Sequence, residues 1–211
     1  MSGKLTFYTN PMSRGQIVRW MLEEVGQPYE TVILGYADSM KAAPYLAINP
    51  MGKVPAIKHG DAVVTECAAI CAYLADAFPQ AGLAPPPTSE TRGPYYRWLF
   101  FAAGCVEPAL SNKSAGFEPT AEKQRMFGYG SYDLTMDTLE KAVTGIDYIA
   151  GGKFSAADLY VASQLGFGMQ FGGIEKRPAF EAYVNRMTDR PAYKRAKEID
   201  NAAIAELQKA G

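Results

Sequence analysis

The sequence predicts an α/β domain followed by a domain made only of helices. Strand-like and helix-like segments follow one another over residues 1–82. A proline-rich stretch at 82–87 then interrupts the chain, because each proline removes a backbone donor and restricts the residue before it. No later segment has the pattern of a strand. We therefore expect a mixed domain over 1–82, a linker over 83–91 and an all-helical domain over 92–211.

The first domain begins with a strand–helix–strand unit. Lys4–Thr9 and Tyr29–Leu34 are short β-branched and aromatic runs, which predict two strands. Between them Ser13–Val25 carries apolar residues at helical spacing, and Gly26 predicts the end of that helix. Such a unit predicts parallel strands joined by a right-handed crossover. The remaining predicted elements are a weak helix at 40–48, strands at 54–58 and 62–65, and a helix at 66–78.

The second domain has one helix with a clear N-terminal signal. Ser155 and Asp158 fit a capping box at the start of a helix over 155–171, and Phe154 and Leu159 occupy the positions of a hydrophobic staple. The other helices of this domain are predicted from apolar spacing at 92–110, 120–143, 177–188 and 191–208.

Charge and composition exclude several classes of partner. Lys and Arg number 21 against 22 for Asp and Glu, and the absence of a basic run argues against nucleic acid or an anionic membrane surface. Apolar runs are shorter than the ~18 residues of a membrane span, and no signal-peptide pattern precedes the first strand. The three cysteines make a poor disulfide framework. We expect a cytoplasmic protein.

Metal and triad chemistry are also disfavoured. His59 is the only histidine, and it falls in a predicted hairpin turn where we expect it to be solvated. One histidine and unpaired cysteines do not make a typical zinc site, and a Ser-His-Asp triad would lack a nucleophile elbow. No Cys-x-x-Cys motif is present for thiol exchange. We expect neither a metal nor a prosthetic group.

Four separated motifs carry a resemblance to a known family. They are Asn10–Arg14, Asn49–Pro55, Thr65–Ile70 and Phe154–Asp158. In this order and with these two domains, the whole chain resembles the cytosolic glutathione transferase superfamily, of the bacterial type with a serine in the active site. The resemblance implies a thioredoxin-like first domain, glutathione as co-substrate and a homodimer.

The resemblance assigns the catalytic role to Ser13. From the residues alone, a serine at a helix start is an ordinary N-cap. The resemblance implies that its hydroxyl instead stabilises the thiolate of glutathione, which is the nucleophilic form of the thiol. Tyr8 in the first strand is the rival hydroxyl, although a strand tyrosine is more often part of the core. Asn10 is a secondary donor to the sulfur.

The resemblance also implies a backbone site for the tripeptide before the third strand. Val54 would pair with the cysteinyl part like an added strand, next to a cis Val54–Pro55 bond; the alternative is an ordinary Pro55 at a strand start. Lys53 would pair with the glycyl carboxylate, and Lys41 is a weaker candidate for the same role. For each lysine the alternative is a solvated surface position.

Glu66 and Cys67 would bind the other end of glutathione. The resemblance implies that Glu66 holds the γ-glutamyl ammonium, whereas a first-turn acid can also simply complement the helix dipole. The family usually has serine where this chain has Cys67, and a thiol is a weaker donor than a hydroxyl. We therefore expect its backbone contact to be kept. Cys67 could also be an oxidisable thiol or a small buried residue.

The second substrate is harder to place from the sequence. Phe101, Cys105 and Met169 are candidates to line its cleft, although apolar residues at helical spacing are equally typical of a core. The expected activity is transfer of glutathione to small, mostly apolar electrophiles, a detoxification reaction. The alternatives are another glutathione-dependent activity (peroxidase, isomerase or dehalogenase) and a non-catalytic glutathione-binding or partner protein of the same fold.

Overall fold

The computed structural model describes residues 3–210, which form two compact units. The first unit runs to Leu83 and resumes at Arg190, and the second unit is Ala84–Asp189. The first unit contains the sheet, and the second unit contains only helices and turns. This confirms the predicted fold class, a mixed α/β part followed by an all-helical part.

A four-stranded mixed sheet forms the centre of the first unit. Its strands are β1 (Leu5–Thr9), β2 (Glu30–Ile33), β3 (Ala56–His59) and β4 (Ala62–Thr65), in the order β2-β1-β3-β4. β1 is parallel to β2 and antiparallel to β3, and β4 is antiparallel to β3. The parallel pair is the one predicted for the strand–helix–strand unit.

Helices α1 (Gly15–Val25), α2 (Ala43–Leu46) and α3 (Cys67–Ala77) follow β1, β2 and β4 in the chain. α1 forms because apolar residues recur at helical spacing and its buried face joins the core. It ends at Gly26, whose φ of 69° is a left-handed conformation that glycine adopts without steric cost. The predicted end of this helix is therefore confirmed.

His59 is buried, not solvated as the sequence predicts. It is 6% exposed, its Nδ1 atom lies 3.0 Å from the Tyr73 hydroxyl, and its ring is 5.3 Å from that of Phe78. The prediction failed because β3 extends through His59, so that only the two residues Gly60 and Asp61 make the turn. Its side chain consequently packs against α3 and the residues that follow it.

The second unit consists of helices α4 (Arg92–Phe101), α5 (Glu107–Ser114), α6 (Tyr132–Val143), α7 (Ala156–Gln170) and α8 (Pro178–Thr188). A single π-helical turn over 102–106 joins α4 to α5 without a break. The two helices together therefore correspond to the one helix predicted over 92–110. The helix predicted from residue 120 begins only at Tyr132. Gly130 has a φ of 67°, and Ser131 caps the helix by accepting from the Leu134 amide at 3.1 Å.

The predicted capping box is present at the start of α7. The Asp158 carboxylate is fully buried and accepts four hydrogen bonds of 2.7–2.9 Å. The donors are the Ser155 amide, the Ser155 hydroxyl, the Ile149 amide and the Tyr183 hydroxyl. Burial raises the pKa of Asp158, and these donors oppose that effect. The box therefore connects the start of α7 to α8 as well as capping it.

The last helix, α9 (Pro191–Ala210), packs within the first unit. The predicted division placed it in a domain over 92–211. Its side chains instead run along α1, where the Trp20 and Tyr193 rings meet edge to face at 4.9 Å and Arg19 pairs with Asp200 at 3.2 Å. Apolar spacing identifies a helix but not the surface that it covers, so the sequence did not reveal this partner. Over residues 3–210, no helix combines the length and apolarity that a bilayer crossing requires.

Candidate active site

The turn between β1 and α1 is organised by the side chain of Asn10. Asn10 is 3% exposed, its Nδ2 atom donates to the Leu34 carbonyl at 2.9 Å, and its Oδ1 atom accepts from the Met12 amide at 3.0 Å. Both ends of the amide are therefore bonded to backbone. A contact between Asn10 and glutathione remains a prediction.

Ser13 lies in this turn, two residues before the first residue of α1. Its Oγ atom donates to the Asn10 carbonyl at 2.6 Å and accepts from the Gly15 amide at 2.9 Å. The Asn10 carbonyl also accepts from the Ser13 amide at 3.0 Å. The hydroxyl can therefore turn its proton to another acceptor without leaving that carbonyl unpaired. The oxygen that partly caps α1 is thus also able to donate to an anion.

Gly15 is a residue of the turn that the sequence interpretation did not single out. A Cβ atom at this position would lie 1.9 Å from the Thr9 Oγ1 atom and 3.0 Å from the Ser13 Oγ atom. Only glycine fits this approach of the chain without a shift. A glycine two residues after a candidate serine is the signal that could have identified it.

The start of α3 lies against the same turn. The Cys67 Sγ atom donates to the Arg14 carbonyl at 3.7 Å, and Cys67 is 8% exposed. Glu66 immediately precedes α3 with a φ of 68° and a ψ of 122°, a conformation that residues other than glycine rarely adopt. Its side chain is exposed. The structure therefore brings Glu66 and Cys67 next to the turn that carries Ser13.

Two polar side chains form hydrogen bonds to the backbone of the loop that precedes β3. The Lys53 carbonyl accepts from the Tyr45 hydroxyl at 2.5 Å and from Asn49 Nδ2 at 2.8 Å. The hydroxyl of Tyr45 must be the donor because a carbonyl only accepts, and burial raises the pKa of Tyr45 to about 12. The Val54–Pro55 bond is cis, as the resemblance implied. Lys53 itself is exposed, and its pairing with a carboxylate remains a prediction.

Lys41 and Tyr8 have structural contacts of their own. The Lys41 Nζ atom donates to the Gly52 carbonyl at 2.6 Å, so this lysine holds the loop. Tyr8 is half-buried and packs against an apolar cluster, with its ring 5.6 Å from that of Tyr45. The packing of Tyr8 favours its interpretation as a core residue. The bond of Lys41 to the loop is a third arrangement, which neither of the two interpretations of this lysine included.

The residues predicted for the second substrate are only partly brought together. Phe101 and Cys105 line an open pocket of about 410 Å³ on the second unit, together with residues between Gln124 and Thr138, and Met169 is not part of its lining. The Cys105 Sγ atom donates to the Gly128 carbonyl at 3.6 Å, and burial raises the pKa of this thiol. Cys105 is therefore held as a thiol. Among residues 3–210, no three His, Cys, Asp or Glu side chains form a group able to hold a metal.

Two family models match the chain, one over each part of the fold. The model described as "Glutathione S-transferase, N-terminal domain" matches residues 12–77, and "Glutathione S-transferase, C-terminal domain" matches residues 118–191. Glutathione S-transferase A from Pleuronectes platessa is 30% identical to this chain over an alignment of 186 positions that covers 82% of each chain.

Solved structures agree with this match. A glutathione transferase from Methylococcus capsulatus has a TM-score of 0.78 and 28% identity, covering 94% of this chain and 99% of that one. A sphingomonad glutathione S-transferase, solved in complex with glutathione, has a TM-score of 0.75 and 28% identity, with 93% and 98% covered. From its sheet and helices, the matching family models and these relatives, the chain belongs to the glutathione S-transferase superfamily of enzymes.

Proposed function

We propose that this enzyme conjugates the thiolate of glutathione to small, mostly apolar electrophiles, and that Ser13 donates a hydrogen bond to the thiolate. The observation that carries the proposal is the pair of bonds at the Ser13 hydroxyl, to the Asn10 carbonyl and from the Gly15 amide. The Ser13 hydroxyl can give up its bond to the Asn10 carbonyl and donate to the sulfur instead. The bond that it accepts from the Gly15 amide polarises the hydroxyl and makes it a better donor. The glutathione complex of the sphingomonad relative supports the choice of co-substrate.

The chemical task of the site is to lower the pKa of a thiol. A decrease of two pKa units requires about 2.7 kcal/mol of preferential stabilisation of the anion. A hydrogen bond from a hydroxyl to an anion contributes about 1.5–3 kcal/mol, and polarisation of Ser13 by the Gly15 amide strengthens it. The positive end of the α1 dipole adds about 0.3–1 kcal/mol. These contributions are together sufficient.

The reaction then needs no further acid or base from Ser13. The thiol proton leaves to solvent when the thiolate forms. The sulfur donates an electron pair to an electrophilic carbon, a carbon–sulfur bond forms, and the leaving group departs with the pair of its former bond. Ser13 keeps its own proton throughout, since it stabilises the anion and does not abstract the proton.

The remaining site residues are assigned to the tripeptide. The exposed Glu66 carboxylate would bind the γ-glutamyl ammonium, and the Cys67 amide at the N-terminus of α3 would bind the γ-glutamyl carboxylate. The Val54 backbone would pair with the cysteinyl part, and the exposed Lys53 would bind the glycyl carboxylate. Every part of glutathione thus receives a partner of complementary charge or hydrogen-bonding type.

The experiment that tests this proposal is an ultraviolet titration of bound glutathione. Thiolate absorbance is followed across pH in the wild type, in Ser13→Ala and in Tyr8→Phe, which removes the rival hydroxyl. We expect a lowered thiol pKa in the wild type, a rise of about one unit or more in Ser13→Ala, and no change in Tyr8→Phe. An unchanged pKa in Ser13→Ala, or a raised one in Tyr8→Phe, would overturn the assignment of Ser13.

The choice among glutathione reactions follows from activity measurements with the same variants. We propose conjugation as the main activity, in a cytoplasmic homodimer, as membership in the superfamily supports. Comparison of a haloarene, an alkyl hydroperoxide and an isomerisable ketone as substrates separates conjugation from the other reactions. Sedimentation velocity of the purified protein measures its association, and a monomer would contradict the homodimer.

A further inference from the structure

The side chain of Gln16 connects the last helix to the turn that carries Ser13. Gln16 is half-buried on the first turn of α1. Its Nε2 atom donates to the Pro11 carbonyl at 2.6 Å, and its Oε1 atom accepts from the Lys197 Nζ atom of α9 at 2.9 Å. A continuous path of two hydrogen bonds therefore runs from α9 to the backbone of the turn.

The chemistry of the two partners fixes the orientation of this amide. Lysine has only donors and a backbone carbonyl is only an acceptor, so the Gln16 oxygen must face Lys197 and its nitrogen must face Pro11. A flipped amide would oppose donor to donor at Lys197 and acceptor to acceptor at Pro11. Lys197 thus holds Gln16 in the one orientation that bonds the turn.

The helix that carries Lys197 is itself firmly attached to α1. Arg190 makes two hydrogen bonds to the Glu24 carboxylate, at 2.7 and 2.8 Å, near the C-terminal end of α1. Arg19, in the middle of α1, pairs with the buried Asp200 at 3.2 Å. Because Lys197 lies between Arg190 and Asp200 in the sequence, these two attachments restrain its position relative to α1.

The Pro11 carbonyl is a sensitive place to hold the turn. The neighbouring Asn10 carbonyl is held by Ser13, and the Met12 carbonyl accepts from the Tyr36 hydroxyl at 3.3 Å. Pro11 lies two residues before Ser13, so that a rotation of its peptide would move the Ser13 hydroxyl. Misplacement of a catalytic group by about 1 Å can cost 100-fold in rate.

We propose that Gln16 and Lys197 are positioning residues that set the orientation of the Ser13 hydroxyl, and through it the acidity of the bound thiol. This inference rests on the proposed function of Ser13. It gives the C-terminal helix a role in catalysis although α9 supplies no group to the reaction. The contact is specific, because it uses one amide held by two groups of opposite hydrogen-bonding type.

Two variants break the path at different bonds. Gln16→Glu keeps an acceptor for Lys197 but removes the donor to the Pro11 carbonyl, and Lys197→Met removes the support of the amide. Lys197→Arg restores a donor on α9. Lys209→Met is the matched control, because Lys209 is an exposed lysine near the end of the same helix.

The readouts are the thiol pKa of bound glutathione, kcat, KM for glutathione, and the melting temperature. We expect Gln16→Glu and Lys197→Met to raise the thiol pKa by about half a unit and to lower kcat about three- to tenfold. KM for glutathione should change less than twofold, Lys197→Arg should recover most of the loss, and Lys209→Met should match the wild type.

The outcomes separate this inference from the proposed function. If the wild type lowers the thiol pKa and both variants do the same, Gln16 and Lys197 are structural and the inference is overturned while Ser13 keeps its role. A lower melting temperature with an unchanged thiol pKa overturns it equally. If the wild type does not lower the thiol pKa, the proposed function and the inference fail together.

Discussion

The Cys67 Sγ atom lies 3.7 Å from the Arg14 carbonyl, and this contact fastens the first turn of α3 to the residue after Ser13. The two halves of the proposed glutathione site, one on the turn before α1 and one at the start of α3, are therefore joined through a buried thiol. The bond is weaker than one from a hydroxyl would be, because a thiol is a weaker donor.

Removal of this thiol should loosen both halves of the site. We expect Cys67→Ala to lower the free energy of unfolding by about 1–2 kcal/mol, because a buried sulfur and its hydrogen bond are lost. Glutathione affinity should fall a few-fold, since the start of α3 is no longer fixed to the turn. Cys67→Ser should restore the affinity. Urea denaturation and titration calorimetry measure the two effects.

Cys105→Ala is the matched control for Cys67. Cys105 also donates to a backbone carbonyl, that of Gly128 at 3.6 Å, but in the second unit. Its removal should cost some stability and leave glutathione affinity unchanged. An equal loss of affinity in both variants would contradict a local role for Cys67.

Gly15 should not tolerate a side chain. The Cβ atom of Gly15→Ala would lie 1.9 Å from the Thr9 Oγ1 atom, so that the turn must shift and the Gly15 amide must move away from the Ser13 oxygen. We expect a loss of about 1–3 kcal/mol in the free energy of unfolding, as for overpacked cores. We also expect a fall in kcat/KM of about 100-fold. Thermal melting and steady-state kinetics measure both.

A second glycine provides the comparison for Gly15. Gly166 lies in α7, where an added Cβ atom would make an ordinary van der Waals contact of 3.7 Å with Val184 Cγ1. Gly166→Ala should stabilise the protein by about 0.5–1 kcal/mol, because alanine is the better helix former, and should leave kcat/KM unchanged. Wild-type kinetics in Gly15→Ala would show that the turn adapts without moving Ser13.

The sequence predicts the parts of this fold that depend on local patterns. The end of α1 at Gly26, the capping box at Ser155 and the β-branched and aromatic run of β1 are each encoded within a few neighbouring residues. Features that depend on distant partners could not be predicted in this way. His59 is buried because α3 covers its strand. The helix α9 belongs to the first unit because its side chains contact Trp20 and Arg19 of α1.

The candidate site shows the same limit. Ser13, Glu66 and Cys67 come from motifs, and the structure brings these motifs together. The residues that hold these motifs in place are not part of any motif. Tyr45 and Gln16 each act through a hydrogen bond to a backbone carbonyl. Such bonds leave no pattern in the sequence, since almost any residue can supply the carbonyl.

Substitution of Glu66 by glycine should raise the stability of the protein and lower its affinity for glutathione. Its φ of 68° costs about 1–3 kcal/mol for a residue other than glycine. We expect Glu66→Gly to raise the free energy of unfolding by about 1 kcal/mol, because the strain is relieved, although glycine loses more backbone entropy on folding. Glutathione affinity should fall at least tenfold, on the order of one lost charged hydrogen bond. Urea denaturation and titration calorimetry test the two directions.

Glu66→Gln separates the backbone from the charge. Glutamine keeps the same backbone strain, so the free energy of unfolding should stay at the wild-type value while glutathione affinity falls. A Glu66→Gly variant less stable than Glu66→Gln would contradict the strain at this position.

Arg19 and Asp200 should respond unequally to substitution. Asp200 Oδ2 has no hydrogen-bond partner among the described residues, and its Oδ1 atom accepts from Arg19, so Arg19 is the main hydrogen-bond donor to this carboxylate. Arg19 also donates to the Tyr29 hydroxyl and to Thr31 Oγ1, at 3.1 and 2.8 Å. We expect Arg19→Met to cost about 3–5 kcal/mol, because it leaves an unpaired buried charge, and Asp200→Asn to cost about 1–2 kcal/mol. Urea denaturation at neutral pH measures both, and a larger loss for Asp200→Asn would contradict this order.

The same pair should give the protein a pH-dependent stability of defined sign. Burial raises the pKa of Asp200, and the nearby cations Arg19 and Lys197 oppose the rise. In the window between the ordinary value of about 4 and the raised value, the native chain holds a proton that the unfolded chain has lost. The contribution of Asp200 to the free energy of unfolding is therefore complete below pH 4 and is lost as pH rises through the raised pKa.

Asp158 adds a trend of the same sign, so the difference in stability between wild type and Asp200→Asn isolates the effect of Asp200. Urea denaturation from pH 4 to 7 should show the advantage of the wild type shrinking with rising pH, and a growing advantage would mean that Arg19 outweighs burial.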